Sequence, residues 1–292
     1  MPAFELNEID LQLIQLALRE DLGLIFKDLT TQTLFDKETT AYQTEIISKH
    51  PTPIVLCGLP VAQIVLSHFK TDFELISSFQ DGDLIEPGAQ VAIIQGDARS
   101  LLMAERTLLN FLRHLCAIAT TTRQFVDKIK TSATQVLDTR KTTPGWRHLE
   151  KYAVLCGGGT NHRMALYDAI MIKDTHIDLV GGIDAALEKL PEKTDAGVPV
   201  IMEIRNIEEL KITIASGRAK IDRVLLDNMA PAELKACVAL CKGIFETEAS
   251  GNINLQTIQA VAKTGVDFAS VGMLTHSAEN VDLSMRALAR QS

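Results

Sequence analysis

The chain has 292 residues, of which 46% are hydrophobic and 23% charged, values ordinary for a soluble globular protein. Its formal net charge of -8 argues against general binding to nucleic acid or anionic membranes, because such binders present broad positive surfaces. We find no secretory signal at the N-terminus and no stretch near the roughly 20 apolar residues of a membrane span. The five cysteines lack paired metal-ligand spacing, so we expect a reduced, cytoplasmic setting.

The N-terminal part of the chain predicts a helix followed by a small α+β domain. Apolar residues recur at helical spacing between positions 6 and 18, with Asn7 as candidate N-cap and Gly23 just past the end. Between about residues 45 and 96, short β-rich runs alternate with Asp-Gly and Pro-Gly turns. These turns are similar to those of lipoyl and biotinyl carrier domains, but the modifiable lysine is missing, which favours a structural role.

The rest of the chain predicts repeated strand-helix units. A helical pattern from about residue 100 to 130 is richer in apolar residues than one exposed helix needs, and we expect it to link two domains. Six strand-like runs follow, each before a plausible helix, near residues 136–139, 169–172, 200–204, 223–226, 244–248 and 268–272. Repeated βα units imply a parallel sheet, either open and doubly wound or forming a barrel short of eight strands.

Charged residues gather where these strands end. Arg140 and Lys141 directly follow the first strand, and such a cation pair suits an anion. Lys173, Glu203 and Asp227 lie at or near the ends of the next three strands, and Glu248 ends the fifth. Because both candidate architectures place the active site at the carboxyl ends of the strands, we expect these side chains to converge on one mouth.

Two of these carboxylates and several glycine turns indicate particular ligands. Glu203 and Asp227 offer hard oxygen ligands that suit magnesium or sugar hydroxyls, although solvated surface charges are the alternative. Glycines at 157–159, Gly251 within residues 250–252, and Gly272 allow backbone N–H groups to approach a phosphate, although each turn alone is more often a simple turn. The last two close the final units, where barrel enzymes commonly hold phosphate.

Four more side chains have chemistry that the pattern leaves open. Arg163, preceded by His162, can grip a planar carboxylate better than a lysine can, while the histidine alone is more often structural. Arg106 lies on an otherwise apolar helix and needs an anionic partner, for which a carboxylate of the same helix is the simplest source. Lys173 would serve as the Schiff-base nucleophile of an aldolase.

These residues belong to short motifs that strongly resemble the quinolinate phosphoribosyltransferase family, also called carboxylating nicotinate-nucleotide pyrophosphorylases. The similarity runs nearly from end to end. The motifs cover 20–23 with 28–31, 105–111, 137–159, 161–163, 172–174, 225–229, 248–251, 270–272 and 274–277. The chain departs from the pattern at Ile201, where the family strand often has a glutamate, and at Thr175, where asparagine is common.

The resemblance implies a fold and an assembly. It implies an N-terminal α/β sandwich domain over residues 1–115 and an incomplete parallel α/β barrel of about six βα units over residues 116–276. The tail, residues 277–292, would return to the first domain. The resemblance also implies a homodimer in which Arg106 reaches into the partner's site, and substrates that are small molecules.

The resemblance further implies a role for each candidate residue. The carboxylates of quinolinate would be held by Arg140, His162, Arg163 and Lys173, together with Arg106 of the partner subunit. Lys141 would lie near the sugar pyrophosphate and Thr139 beside the substrates, Glu203 and Asp227 would hold the ribose and Mg²⁺, and Ser250, Gly251, Asn252, Gly272 and Met273 would cradle the 5′-phosphate. The catalytic residues would be Lys141, Lys173, Glu203 and Asp227.

The implied reaction joins quinolinate to phosphoribosyl pyrophosphate and gives nicotinate mononucleotide, pyrophosphate and carbon dioxide for NAD synthesis. Two rival functions remain open from the residues alone. A phosphoribosyltransferase for another pyridine acid, such as nicotinate, would release no carbon dioxide. A Schiff-base aldolase that uses Lys173 would be trapped by borohydride with a carbonyl substrate.

Overall fold

A computed structural model describes residues 4–35, 41–191 and 197–288. The chain divides into two compact units. Unit 1 comprises the described residues up to Arg123, the segment Thr142–Gly158 and the described residues from Ser277 onwards, while unit 2 comprises Gln124–Lys141 and Gly159–His276. Among the helices within these described ranges, we find none that is long and apolar enough to cross a membrane.

The described residues form helices and strands that we number in chain order. The helices are α1 (Glu8–Leu22), α2 (Leu29–Leu34), α3 (Leu59–Ser67), α4 (Ala98–Lys128), α5 (Arg147–Cys156), α6 (Asp174–Val180), α7 (Ile183–Lys189), α8 (Ile207–Ser216), α9 (Pro231–Cys241), α10 (Ile258–Ala262) and α11 (Met273–His276). The strands are β1 (Ala41–Ser48), β2 (Ile54–Val55), β3 (Glu74–Ile76), β4 (Leu84–Ile85), β5 (Gln90–Asp97), β6 (Gln135–Leu137), β7 (Ile170–Ile172), β8 (Val200–Ile204), β9 (Arg223–Asp227), β10 (Glu246–Ser250), β11 (Phe268–Ser270) and β12 (Leu283–Ala287).

Unit 1 is built on an antiparallel sheet in the order β12-β1-β5-β3. The strand β12 comes from near the C-terminus, so the end of the chain completes this sheet beside β1. The helix α1 confirms the predicted first helix, since the side chain of Asn7 accepts the N–H of Asp10 at 3.0 Å and Gly23 ends the helix. Its residues Ile14 and Leu18 are fully buried.

The helix α4 confirms the predicted long helical region. It has 31 residues, and its apolar positions such as Phe111, Leu112 and Leu115 are buried. This continuous burial explains why the sequence of α4 is richer in apolar residues than an exposed helix requires. The segment Thr142–Gly158, which carries α5, groups with unit 1 although it lies between two strands of unit 2 along the chain.

Unit 2 is built on six parallel strands in the order β6-β11-β10-β9-β8-β7, each followed by helix. The predicted strands are confirmed, and their bounds differ from the predicted ones by at most two residues. Within the described residues β6 and β7 do not pair with each other, which makes the sheet an incomplete barrel. The expected fold class is therefore confirmed, and the carboxyl ends of six strands share one edge.

The five cysteines are all free and buried, and two of them meet a carboxylate in unit 1. The ligand atoms of Cys57, Cys156 and Asp81 lie within 4.8 Å of one another, a proximity that sequence spacing did not predict. Asp81 already accepts two backbone N–H groups at the start of α3 and the hydroxyl of Tyr152 at 2.8 Å. Burial raises the pKa of Cys57 well above its ordinary value. Both thiols are free and buried, so they pack as apolar groups.

Candidate active site

Unit 2 contains a cleft of about 610 Å³ at the carboxyl ends of its strands. Eleven of the fourteen predicted site residues line it. The lining comprises Thr139, Arg140, Lys141, His162, Arg163, Met171, Lys173, Asp174, Glu203, Leu225, Asp227, Asn228, Glu248, Ser250, Gly251, Asn252 and Ser270. The convergence expected from parallel strands is therefore observed.

Three predicted residues lie elsewhere. Gly272 is next to the cleft, because a Cβ at that position would stand 3.1 Å from Cδ of Lys141. Met273 begins α11, two residues before Thr275, whose hydroxyl donates to the carbonyl of Lys141 at 2.7 Å. Arg106 is an exposed residue of α4 in unit 1, and it has no ion pair in the described part of the chain.

Arg140 and Arg163, which we call the arginine pair, place two like charges in the cleft. The Nε atoms of both are buried and have no hydrogen-bond partner among the described residues. Burial lowers the pKa of Arg163, and the positive charge of Arg140 lowers it further, while Asp168 opposes these effects. One nitrogen of Arg163 is fixed by donating to the carbonyl of Ala169 at 3.0 Å. Arg163 is thus held in place, and both arginines have unused donors.

Three negatively charged residues line the same cleft, Asp174, Glu203 and Asp227, which we call the carboxylate cluster. They follow or end β7, β8 and β9, so neighbouring strands bring them together. Burial raises the pKa of Glu203, and the negative charges of Asp174 and Asp227 raise it further, whereas Lys173 opposes the rise. Carboxylate oxygen atoms are the ligands that Mg²⁺ prefers. In the described structure, however, the oxygens of these three residues do not all lie within 4.8 Å of one another. Asp174 was not among the predicted site residues.

A strained corner of the cleft joins the ends of β9 and β10. Asn228 and Asn252 both have positive φ, at 54° and 53°, and their side chains share a hydrogen bond of 3.1 Å. Gly251 has φ +99°, and a Cβ there would stand 2.2 Å from Oδ1 of Asn228. Only glycine can fill this position without moving the asparagine. Sequence reasoning selected Gly251 and Asn252 but missed Asn228.

His162 is fixed from three directions by its neighbours. Its backbone N–H donates to Oδ1 of Asp138 at 2.8 Å, and its Nδ1 accepts the backbone N–H of Arg163 at 2.7 Å. Its Nε2 lies 3.3 Å from Oε1 of Glu248. Both carboxylates are fully buried. Glu248 was expected at the mouth of the cleft but was given no role, and Asp138 was not predicted.

Comparisons with known proteins agree with this geometry. The model of the quinolinate phosphoribosyl transferase C-terminal domain matches residues 118–286, and the model of the N-terminal domain of the same family matches residues 28–116. The two matches together span most of the chain.

Named relatives cover nearly the whole length. A chloroplastic carboxylating nicotinate-nucleotide pyrophosphorylase of Arabidopsis thaliana is 37% identical over 301 residues, with 98% of this chain and 83% of the relative covered. A probable enzyme of the same name from Bacillus subtilis is 38% identical over 266 residues, with 91% and 89% covered. The solved nicotinate-nucleotide pyrophosphorylase of Francisella tularensis has a TM-score of 0.89 at 38% identity, with 98% of each chain covered. The chain belongs to the quinolinate phosphoribosyltransferase family.

Proposed function

We propose that this protein transfers the phosphoribosyl group of phosphoribosyl pyrophosphate to quinolinate with loss of carbon dioxide. The products are nicotinate mononucleotide, pyrophosphate and carbon dioxide, and the reaction serves NAD synthesis. The observation that carries the proposal is the cleft itself, in which the arginine pair and the carboxylate cluster share one lining. One group suits a dianionic acid, and the other suits a pentose with its metal.

Quinolinate has two carboxylates, and the arginine pair offers unused donors for both. Arg140 and Arg163 each have a buried Nε without a partner in the described chain. Planar guanidinium groups can hold carboxylates through two parallel hydrogen bonds. Lys173 lies at the exposed side of the same cleft and adds a third cation. His162 completes the acid-binding side.

Phosphoribosyl pyrophosphate fits the opposite side. Glu203 and Asp227 would accept the ribose hydroxyls and, with Asp174, hold Mg²⁺, whose charge would stabilise the departing pyrophosphate. Lys141 provides a cation for the pyrophosphate. The hydroxyl of Thr139 supports Lys141 by accepting its backbone N–H at 3.0 Å. The 5′-phosphate binds at Ser250, Gly251 and Asn252, with Gly272 and Met273 beyond them.

The chemistry needs positioning and electrostatics and no protein nucleophile. The bond from C1 of the ribose to pyrophosphate breaks with its electron pair on pyrophosphate, so that C1 gains oxocarbenium character. The lone pair of the quinolinate nitrogen then forms the C1–N bond. The 2-carboxylate leaves as carbon dioxide, and its electron pair stays on the ring carbon until that carbon takes a proton. The new ring cation stabilises this charge, while the residues of the cleft orient both reactants.

The direct test is to incubate the protein with quinolinate, phosphoribosyl pyrophosphate and Mg²⁺. We expect nicotinate mononucleotide and carbon dioxide in equal amounts. With nicotinate as the acid, we expect little mononucleotide and no carbon dioxide. Product from nicotinate alone would assign the protein to the rival acid, and borohydride trapping of Lys173 with a carbonyl substrate would assign it to the aldolase class.

We also propose that the active protein is a homodimer in which Arg106 completes the partner's site. The support is an exposed arginine that has no ion pair within the described residues and lies on a mostly apolar helix. A purified heterodimer of one Arg106→Ala subunit and one Asp227→Asn subunit tests this. The Arg106→Ala subunit keeps its own Asp227 and receives Arg106 from its partner, so one of the two sites is complete. Activity should therefore return relative to either impaired parent. A heterodimer as impaired as its parents would place Arg106 in its own subunit's site.

A cytoplasmic location is part of the same proposal. Its support is the set of five free, buried cysteines, which suit a reducing compartment. Fractionation of cells that produce the protein should recover its activity with the cytoplasm, and recovery in a membrane or secreted fraction would contradict this.

A further inference from the structure

Glu248 stands at the base of the cleft of unit 2 and is completely buried inside β10. Two hydrogen-bond donors and one ring nitrogen surround its carboxylate. The hydroxyl of Ser270 donates to Oε1 at 2.6 Å, a guanidinium nitrogen of Arg223 lies 3.4 Å from Oε2, and Nε2 of His162 lies 3.3 Å from Oε1. A carboxylate is seldom fully buried unless such partners compensate its charge.

The charge of Glu248 is maintained by these partners. Burial raises the pKa of this carboxyl group, but the contacts with His162 and Ser270 and the positive charge of Arg223 outweigh it, so that its pKa lies below the ordinary value. An ionised carboxylate can only accept hydrogen bonds. A group that points at Glu248 must therefore carry a proton on the facing atom.

This requirement selects one form of the His162 ring. Its Nδ1 accepts the backbone N–H of Arg163 at 2.7 Å and so cannot carry a proton. Its Nε2 lies 3.3 Å from Oε1 of Glu248, an ion-pair distance that lacks the alignment of a hydrogen bond. A proton on Nε2 is the form that this carboxylate attracts. The ring is then the neutral Nε2–H tautomer, with one nitrogen directed to the backbone of Arg163 and the other to the carboxylate. Asp138 fixes the backbone of His162 from the other side at 2.8 Å.

We propose that Glu248 is a positioning residue for the acid-binding side of the cleft, acting through the His162 ring on Arg163. The inference rests on the proposed function and extends it. Glu248 fixes the tautomer and orientation of the ring, the ring nitrogen fixes the backbone N–H of Arg163, and the guanidinium of Arg163 therefore points at the acid with its buried Nε unused. The role differs from that of the arginine pair, which touches the acid directly.

A neighbouring glutamate provides a matched control. Glu246 lies two residues earlier on β10, is exposed, and accepts from Nε and Nη2 of Arg223 at 3.1 and 2.8 Å. Both glutamates therefore pair with the same arginine, but among the contacts described only that of Glu248 reaches His162. Glu246→Gln removes one negative charge from the shared ion pair and leaves the route to Arg163 intact.

Glu248→Gln is the test variant, because it keeps the shape and removes the charge. The cationic Arg223 will attract the amide oxygen, which turns the amide NH₂ towards the protonated Nε2 of His162. We expect the KM for quinolinate to rise about tenfold, while the KM for phosphoribosyl pyrophosphate stays within about twofold of the wild-type value. Glu246→Gln should leave both values unchanged. An equal rise in both KM values, or an unchanged KM for quinolinate, would overturn the proposal.

A spectroscopic measurement separates this role from a merely structural one. In histidine-labelled, ligand-free protein, the ¹⁵N shifts of the His162 ring, assigned by the signal lost in His162→Gln, should identify the Nε2–H tautomer. Glu248→Gln should change that signal, and Glu246→Gln should not. A wild-type ring protonated on Nδ1 would refute the proposal even if Glu248→Gln failed to fold. Because no substrate is added, this result stands apart from failure of the proposed function, which would appear as absent turnover by the wild-type protein.

Discussion

The arginine pair and the carboxylate cluster differ in sign but follow the same physical rule. Each brings like charges into a partly buried cleft, and in each the proton equilibrium moves towards neutrality: the pKa of Arg163 is lowered and that of Glu203 is raised, with burial as the largest cause in both. At the surface, by contrast, hydrogen bonds to the carboxylates of Glu209, at 2.6 Å, and Asp178 raise the pKa of Arg205 above its ordinary value. The comparison teaches that the counter-charges present, Asp168 and Lys173, do not outweigh burial and like charge, so a ligand can supply the remainder.

The two groups nevertheless call for different ligands. The arginine pair offers fixed N–H donors and suits planar carboxylates. The carboxylate cluster offers only oxygen acceptors, which suit hydroxyl groups and a hard divalent cation. An anionic acid and a sugar with its metal are therefore separated by charge within one cavity.

The largest expected effect comes from removing one member of the arginine pair. Arg140→Ala should weaken quinolinate binding by roughly 100-fold, because charge-assisted hydrogen bonds of about 1.5–3 kcal/mol each are lost. Arg140→Lys is the control that keeps the charge and loses the planar fork, and we expect it to weaken binding about tenfold. Isothermal titration with quinolinate measures both. Normal affinity in Arg140→Ala would show that the pair does not bind the acid.

The corresponding change on the other side is Asp227→Asn. It should raise the Mg²⁺ concentration needed for half-maximal activity and the KM for phosphoribosyl pyrophosphate, each by about tenfold, since one anionic ligand is lost. Binding of quinolinate alone should stay the same. Steady-state assays across a Mg²⁺ series check the first part, and equal damage to quinolinate binding would break the separation between the two sides.

A smaller effect is expected at the strained corner beside the carboxylate cluster. Gly251→Ala combines a positive φ of +99° with a Cβ that would stand 2.2 Å from Oδ1 of Asn228, so the asparagine must move. We expect the KM for phosphoribosyl pyrophosphate to rise several-fold and stability to fall by about 1–2 kcal/mol.

Gly243→Ala is the matched control for this change. It shares the positive φ, at +73°, but its Cβ would meet nothing within 4 Å. Denaturant unfolding should therefore detect a loss of stability in both variants, while only Gly251→Ala changes the KM. A KM that rises equally in both would mean that strain alone, without displacement of Asn228, explains the effect.

The smallest effect concerns Glu203 and has a defined pH dependence. Because the pKa of Glu203 is raised in the folded chain, its ionisation destabilises the folded state as the pH rises from the ordinary glutamate pKa through the raised one. Glu203→Gln removes that cost. Without metal, its Tm at neutral pH should exceed the wild-type value by about 1–2 °C, after allowance for solvent screening.

The same comparison of Tm values at acidic pH is the control for this prediction. Below the ordinary glutamate pKa the side chain is protonated in both the folded and the unfolded chain, so the difference in Tm should vanish there. Scanning calorimetry at both pH values measures it. A neutral-pH Tm that falls in Glu203→Gln would mean that Glu203 is stabilised by its neighbours rather than crowded by them.

Much of unit 2 could be predicted from the sequence because its information is local. Alternating apolar runs and helices located the six strands, and the rule that parallel strands share one edge brought Lys173, Glu203 and Asp227 together before any coordinates were known. The strand bounds at Val200–Ile204 were predicted without error.

The features that could not be predicted depend on contacts between residues distant in sequence. Hydrophobic periodicity gives no information about such contacts. The position of Glu248 at a strand end was expected, but its approach to His162, at 3.3 Å, was not. The sequence likewise does not predict that α5 groups with unit 1, because α5 follows β6 just as the other helices follow their strands. The proximity of Asp81 to Cys57 and Cys156 is a third case.

The central claim is that the arginine pair is built for an acid with two carboxylates. Its most direct test is calorimetric titration of the wild-type protein with quinolinate and with nicotinate, which lacks one carboxylate. Our account predicts that quinolinate binds roughly 100-fold more tightly, in line with the loss of one or two charge-assisted hydrogen bonds in nicotinate. Equal affinity for the two acids would contradict it.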